Sequence, residues 1–223
     1  LSAKLFAKGG HARFEDDEFG RRDFSMFGLA ASMAFDNRDN PADATEGVFL
    51  EGTIEPFYEF QYGNAAVKAT AEARAYYGFG ADNRFVLAGR LKLGMLAGAS
   101  IAELPPDMLF FAGGGGSVRG YAYRNIGVPT AAGNMVGGRS LAEASVEARV
   151  RVTDSIGIVG FADAGYVGED TIPGFSEDVR VGVGAGLRYL TALGPIRLDV
   201  AVPLDRRAGD PSVAFYVGIG QAF

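Results

Sequence analysis

Few side chains in this chain are set out for covalent chemistry. The single histidine, His11, has no second ligand at a metal-like spacing, which speaks against a metal site. The glycine run Gly113–Gly116 could pass for a phosphate-cradling loop, but no Gly-Lys-Ser/Thr follows it and no helix is signalled. No serine lies in a nucleophile-elbow context, so no catalytic triad can be assembled. Asp16, Asp17 and Glu18 read as a solvated loop cluster, with calcium binding the lesser alternative. Charged residues of both signs stand outside these motifs, among them Arg119 in a glycine-rich stretch, Glu147 on an alternating segment, and Asp163 in Gly160–Gly165 (GFADAG). The expectation is a protein that is not an enzyme, with no cofactor and no metal.

These residues sit among segments dominated by period-2 alternation, the signature of strands whose successive side chains face opposite ways. Over Ser140–Val152, Leu141, Glu143, Ser145, Glu147, Arg149 and Arg151 form one set, interleaved with Ala142, Ala144, Val146, Ala148, Val150 and Val152. The pattern recurs over Val67–Tyr77, Phe85–Met95 and Ile196–Val202. Further strands are expected near Leu1–Lys8, Phe24–Phe35, Val48–Pro56, Ile156–Gly165, Val181–Tyr189 and Val213–Phe223, about ten in all. One face is small and apolar, and the other carries charges of both signs.

Hydrophobic residues make up 48% of the chain, yet no window approaches the roughly 20 consecutive apolar residues of a membrane helix. Any membrane crossing must therefore use strands. Short turns at Gly78–Arg84, Thr153–Ser155 and Ala192–Pro195 alternate with long loops at Gly9–Asp23, Gly98–Arg139 and Gly168–Val179, the habit of outer-membrane barrels. Asp36–Glu46 departs from that rule, being long on the short-turn side. Aromatics near strand ends (Phe57, Tyr58, Phe60, Tyr62; Tyr76, Tyr77, Phe79) suit interfacial girdles. A soluble sandwich shares the alternation, but strands of about 9–11 residues and a charge-compensated polar face favour a membrane barrel. The net charge of −6 and the lack of a basic stripe argue against nucleic acid. The chain starts at Leu1 and shows no signal peptide, so a fragment or mature piece is expected.

Three segments resemble a known family. Phe110–Tyr123 (FFAGGGGSVRGYAY), with its core Val118-Arg119-Gly120-Tyr121, is similar to the loop-six motif of the outer-membrane assembly-factor superfamily. Gly160–Gly165 resembles the motif on the second strand after that loop. The tail resembles the family's end: Gly194–Asp199 (GPIRLD), then Phe215–Phe223 (FYVGIGQAF). The flanking glycines and Arg124–Gly127 look most like the translocation-and-assembly-module, or bacterial surface antigen, branch. The resemblance implies an all-β antiparallel transmembrane barrel spanning 1–223, with about ten strands matching the last ten of about sixteen. It implies that the loop at about 98–139 folds inward, so that Arg119 meets Glu147 and Asp163 on the lumen wall. Alternation independently puts Glu147 on the charged face. Gly120 would permit a tight turn, and Tyr121 would pack against the wall.

Function follows from the same resemblance: a bacterial outer-membrane location, and insertion or assembly of other outer-membrane proteins. The partners implied are outer-membrane lipid, client proteins and a periplasm-spanning partner. The terminal strand would supply one side of a seam, with Phe215, Val217, Ile219, Gln221 and Phe223 on one face and Gly218 and Gly220 weakening it. Its terminal aromatic resembles an insertion signal. The alternative is a passive pore or structural surface antigen barrel without insertase activity.

Overall fold

The computed structural model describes residues 1–16, 18–176, 178–207 and 209–223. Its strands are β1 (Ser2–Asp16), β2 (Gly20–Asp36), β3 (Gly47–Glu59), β4 (Asn64–Phe79), β5 (Phe85–Ala97), β6 (Val128–Pro129), β7 (Met135–Val136), β8 (Ser140–Arg151), β9 (Ile156–Gly168), β10 (Arg180–Tyr189), β11 (Ile196–Pro203) and β12 (Ala214–Ile219). Ten form one sheet in the order β1-β2-β3-β4-β5-β8-β9-β10-β11-β12, while β6 and β7 pair separately. Every ladder is antiparallel. The sheet has two edges, β1 and β12, and among the described residues no ladder joins them.

Alternation sets which face is which. On β8, Leu141, Glu143, Ser145, Glu147 and Arg149 are buried, while Val146 and Val152 just beyond the strand are exposed. The same holds on β5, where Val86 and Ala88 face inward and Leu87, Leu91, Leu93 and Met95 face outward. Large apolar side chains cover the outer face from β2 to β12. An apolar exterior around a charged interior is the reverse of a soluble fold and matches a barrel wall whose solvent is lipid.

The interior is filled. Residues 98–139 fold back against the inner face of the sheet. Leu104, Phe110, Val118, Tyr121, Ile126 and Val128 from this segment form a buried cluster with wall residues Phe57, Leu96, Leu141 and Val167. Wall cations hold its carbonyls: Lys68 Nζ donates to Met108 O at 2.7 Å, and Arg22 Nη1 to Ala102 O at 2.7 Å.

Three expectations need correction. Gly9–Asp23 is not a long loop, because β1 and β2 pair without interruption from Ser2↔Ala34 to Asp16↔Gly20. Cross-strand contacts sustain that ladder despite its glycines and charges. Arg13 Nε donates to Asp23 Oδ1 at 2.6 Å, His11 Nδ1 lies 2.9 Å from Ser25 Oγ, and the Phe14 and Phe24 rings meet edge-on at 5.9 Å. Two girdle aromatics, Phe57 and Tyr76, are buried on the inner face, whereas Tyr58, Phe60, Tyr77 and Phe79 are exposed. The Tyr62 ring lies 5.4 Å from that of Phe24, tilted by 51°. The terminal strand stops at Ile219, well short of Phe223.

The long connection between β2 and β3 has a structural use. It folds over the short-turn rim, where Ala44 is buried with Tyr76, Ala88 and Phe223. Asp39 ties it together, accepting from Thr45 N at 2.9 Å and Thr45 Oγ1 at 2.7 Å.

Candidate functional site

The Gly113–Gly116 run lets the inward segment turn sharply inside the wall. Gly113 N donates to Ser117 Oγ at 3.0 Å, and Ser117 Oγ in turn donates to Glu143 on β8. These turns carry Val118 and Arg119 deep into the lumen, where each is almost fully buried.

Arg119 is held by three carboxylates from three strands. Its Nε and Nη2 donate to Asp163 Oδ2 and Oδ1 on β9 at 2.7 and 2.9 Å. Its Nη1 donates to Glu147 Oε1 on β8 at 2.7 Å and to Asp199 Oδ2 on β11 at 3.3 Å. The guanidinium also lies over the Phe161 ring, with Cζ 3.4 Å from the centroid. A planar fork meeting one carboxylate edge-on while touching two more uses geometry that lysine lacks. Burying such a charge is tolerable only because its donors are satisfied.

The neighbouring residues fit the clasp to the wall. Gly120 adopts φ 100°, and a Cβ there would lie 2.7 Å from the Val202 carbonyl carbon and 2.9 Å from Pro203 N. Only glycine combines that φ with that proximity. Gly120 N donates to Tyr216 Oη on β12 at 3.0 Å, so the inward segment and the terminal strand are joined directly. Tyr121 is buried, and its single hydroxyl proton is shared between Val181 O at 3.2 Å and Asp205 O at 3.3 Å. On β10, a Cβ at Gly182 would overlap the Arg119 carbonyl oxygen.

Glu147 and Asp199 each bridge two arginines. Glu147 Oε2 accepts from Arg149 Nε at 2.9 Å, and Asp199 Oδ1 accepts from Arg188 Nη1. From these arginines the contacts reach the tail. Arg188 Nε donates to Gln221 Oε1 at 2.8 Å, Gln221 Nε2 to Asp43 Oδ1 at 2.9 Å, and Arg149 Nη2 to Phe223 O at 3.3 Å.

The expected residues thus divide. Val118, Arg119, Gly120, Tyr121, Glu147 and Asp163 come together inside the wall. Phe215, Val217 and Ile219 point outward at 70%, 76% and 76% exposure. Gln221 and Phe223 do not share that face, because the chain turns inward at Gly220, where φ is 86°. Gly220 N donates to Pro195 O at 2.7 Å and Gln221 N to Ala42 O at 3.2 Å. A glutamine amide on the lipid face would forfeit its hydrogen bonds, and the turn places it among Arg188 and Asp43 instead. Gly218 stays within β12 beside Arg197. Of the acidic cluster, Asp16 closes β1, Glu18 accepts from Asn134 Nδ2 at 3.4 Å, and Asp17 lies outside the described residues.

Sequence reasoning missed Asp199, Phe161 and Tyr216 as parts of the clasp. Asp199 had a signal, since alternation over Ile196–Val202 puts it on the charged face. Tyr216 had one too, being the polar-tipped aromatic between outward-facing Phe215 and Val217.

The Omp85 superfamily domain matches residues 6–223. Among solved structures, the fold is similar to BamA from Haemophilus ducreyi lacking POTRA domains 1–3, with a TM-score of 0.70 and 20% identity. That likeness covers 90% of this chain but only 44% of the other.

Proposed function

Since the chain belongs to the Omp85 superfamily, we propose that it forms the C-terminal barrel wall of an outer-membrane assembly factor of the translocation-and-assembly, or surface antigen, branch. In this reading it resides in the bacterial outer membrane and helps other outer-membrane proteins insert. The observation that carries the reading is the clasp of Arg119 with Glu147, Asp163 and Asp199 inside the wall. The terminal strand β12 pairs with β11 over only Ala214–Ile219. A strand so briefly paired is one at which an incoming strand could add to the sheet through its N–H and C=O groups. Arg119 serves as a lock in this mechanism: it fixes the inward segment, which holds β12 through the Gly120–Tyr216 bond. Positioning, not covalent chemistry, is its role.

An inner face covered by residues 98–139, with the Ala44 turn folded over the rim, weighs against a passive pore. The test is assisted folding. The full-length protein in lipid vesicles is mixed with an unfolded client barrel, and client folding is followed by heat-modifiable migration. Faster client folding than in empty vesicles, slowed again by Arg119→Ala, supports the proposal. Equal rates with and without the protein would leave a structural surface antigen barrel.

A further inference from the structure

Five guanidiniums gather at the short-turn rim of the lumen. Arg84, Arg149, Arg151 and Arg188 line one cavity of about 30 Å³ together with Asp43 and Gln221. Arg197 stands on β11 directly across the ladder from Arg188. Among the described residues, only Glu147 and Asp199 form ion pairs with any of the five, and both are already shared with Arg119. Arg84 spends its donors on the Arg151 and Val152 carbonyls. Asp43 is engaged by Gln221.

Several of these N–H groups have no protein partner. Arg188 is 2% exposed, yet its Nη2 is buried without an acceptor, as are Nε and Nη1 of Arg197. Buried guanidinium donors without acceptors are costly, and native structures meet them with water or an ion. The cavity exceeds the roughly 10–15 Å³ that one water requires. Positive charge here outweighs negative among the described residues, and the unpartnered donors point in different directions from two guanidiniums side by side on β10 and β11. A planar carboxylate would serve one such direction; a tetrahedral, doubly charged group serves several.

We propose that this rim is a phosphate-binding site, built by Arg188 and Arg197 with Arg84, Arg149 and Arg151 around the cavity. It is independent of Arg119's role as a lock and of any client. The phosphate can come from a lipid headgroup or from free inorganic phosphate, because the chemistry recognised is the same.

The test uses the full chain folded in detergent, titrated calorimetrically with inorganic phosphate at fixed ionic strength, with chloride and acetate as controls. Saturable phosphate binding is expected, weakened about tenfold or more in Arg197→Gln, since each charge-assisted hydrogen bond contributes on that scale. Arg151→Gln gives a second reading should Arg197→Gln lose heat-modifiable migration, and Arg13→Gln on the distant β1–β2 hairpin leaves binding unchanged. Competition by short-chain phosphatidic acid identifies a lipid headgroup as the source, and its absence identifies free phosphate. Binding that acetate or chloride matches, or that both rim variants leave unaltered, overturns the proposal.

Discussion

Arg119 and Asp163 meet through two side-by-side hydrogen bonds, Nε to Oδ2 at 2.7 Å and Nη2 to Oδ1 at 2.9 Å. The Arg119 backbone N–H adds a third to Oδ2 at 3.1 Å. One carboxylate thus fixes both the head and the backbone of the residue that carries the inward segment. A surface arginine in a glycine-rich loop would spend its entropy for little return. Here the pair is 2% and 1% exposed, and neither charge can be left alone.

Arg119→Ala is therefore expected to lower unfolding stability by about 3–5 kcal/mol, the cost of orphaning a buried carboxylate. Arg119→Lys should recover only part of that loss, because an ammonium cannot serve Asp163, Glu147 and Asp199 with a planar fork. The measurement is the temperature of the heat-modifiable transition for both variants and for Asp163→Asn. Additivity of Arg119→Ala and Asp163→Asn in the double variant would show that the two do not act together.

A second expectation concerns space and not charge. Gly182→Ala adds one methyl where the Arg119 carbonyl oxygen already lies. Its backbone is ordinary strand, so the substitution acts only through the clasp. Protease cleavage within residues 98–139 should become faster in Gly182→Ala, whereas Gly160→Ala on the adjacent strand meets no atom and should leave cleavage unchanged. Equal protection in both variants would place the inward segment elsewhere.

Much of this arrangement was legible in the residues. Alternation separated Glu147 from its apolar neighbours, and the resemblance at Val118–Tyr121 put Arg119 opposite Asp163. Two features escaped for physical reasons. The β1–β2 ladder was hidden because Gly9, Gly10 and a run of charges mimic loop composition, while its register rests on cross-strand pairs such as Arg13–Asp23 that composition does not show. The inward turn of the tail was hidden because period 2 continues unbroken through Gln221 and Phe223. A single positive φ at Gly220 moves both to the opposite face, as a one-residue register slip would. The one hint was Gln221 itself, a polar residue where the lipid face called for an apolar one.

Acid should loosen the turn under the rim. Asp39 accepts from the Thr45 hydroxyl and from backbone N–H groups, and although its partial burial pushes the other way, these bonds hold its carboxyl below the ordinary value of 3.8. A carboxyl depressed in the folded state stabilises above its unfolded pKa and loses that contribution as pH falls through the folded one. The turn is thus expected to be intact near neutrality and to weaken only below the usual aspartate range. Carboxyl-resolved NMR titration measures this directly. Thr45→Val should move the Asp39 midpoint back up, and an unchanged midpoint would mean that the hydroxyl does not hold it.

The tail offers the sharpest discrimination between an ordinary lipid-facing strand end and a docked one. Phe223 is 9% exposed, its ring 6.5 Å from that of Tyr76, with the Arg149 guanidinium 5.5 Å from its centroid. If this is its seat, Phe223→Ala removes a buried aromatic and should cost about 3–5 kcal/mol, whereas Val217→Ala, on the outward face of β12, should cost far less. Phe223→Leu should fall between them, keeping apolar volume but losing the ring that Arg149 faces. A tail lying along the lipid wall predicts no such difference, with Val217 and Phe223 equally tolerant of alanine. Thermal midpoints for the three variants, read with clasp residues Arg119 and Glu147 left native, separate the two arrangements.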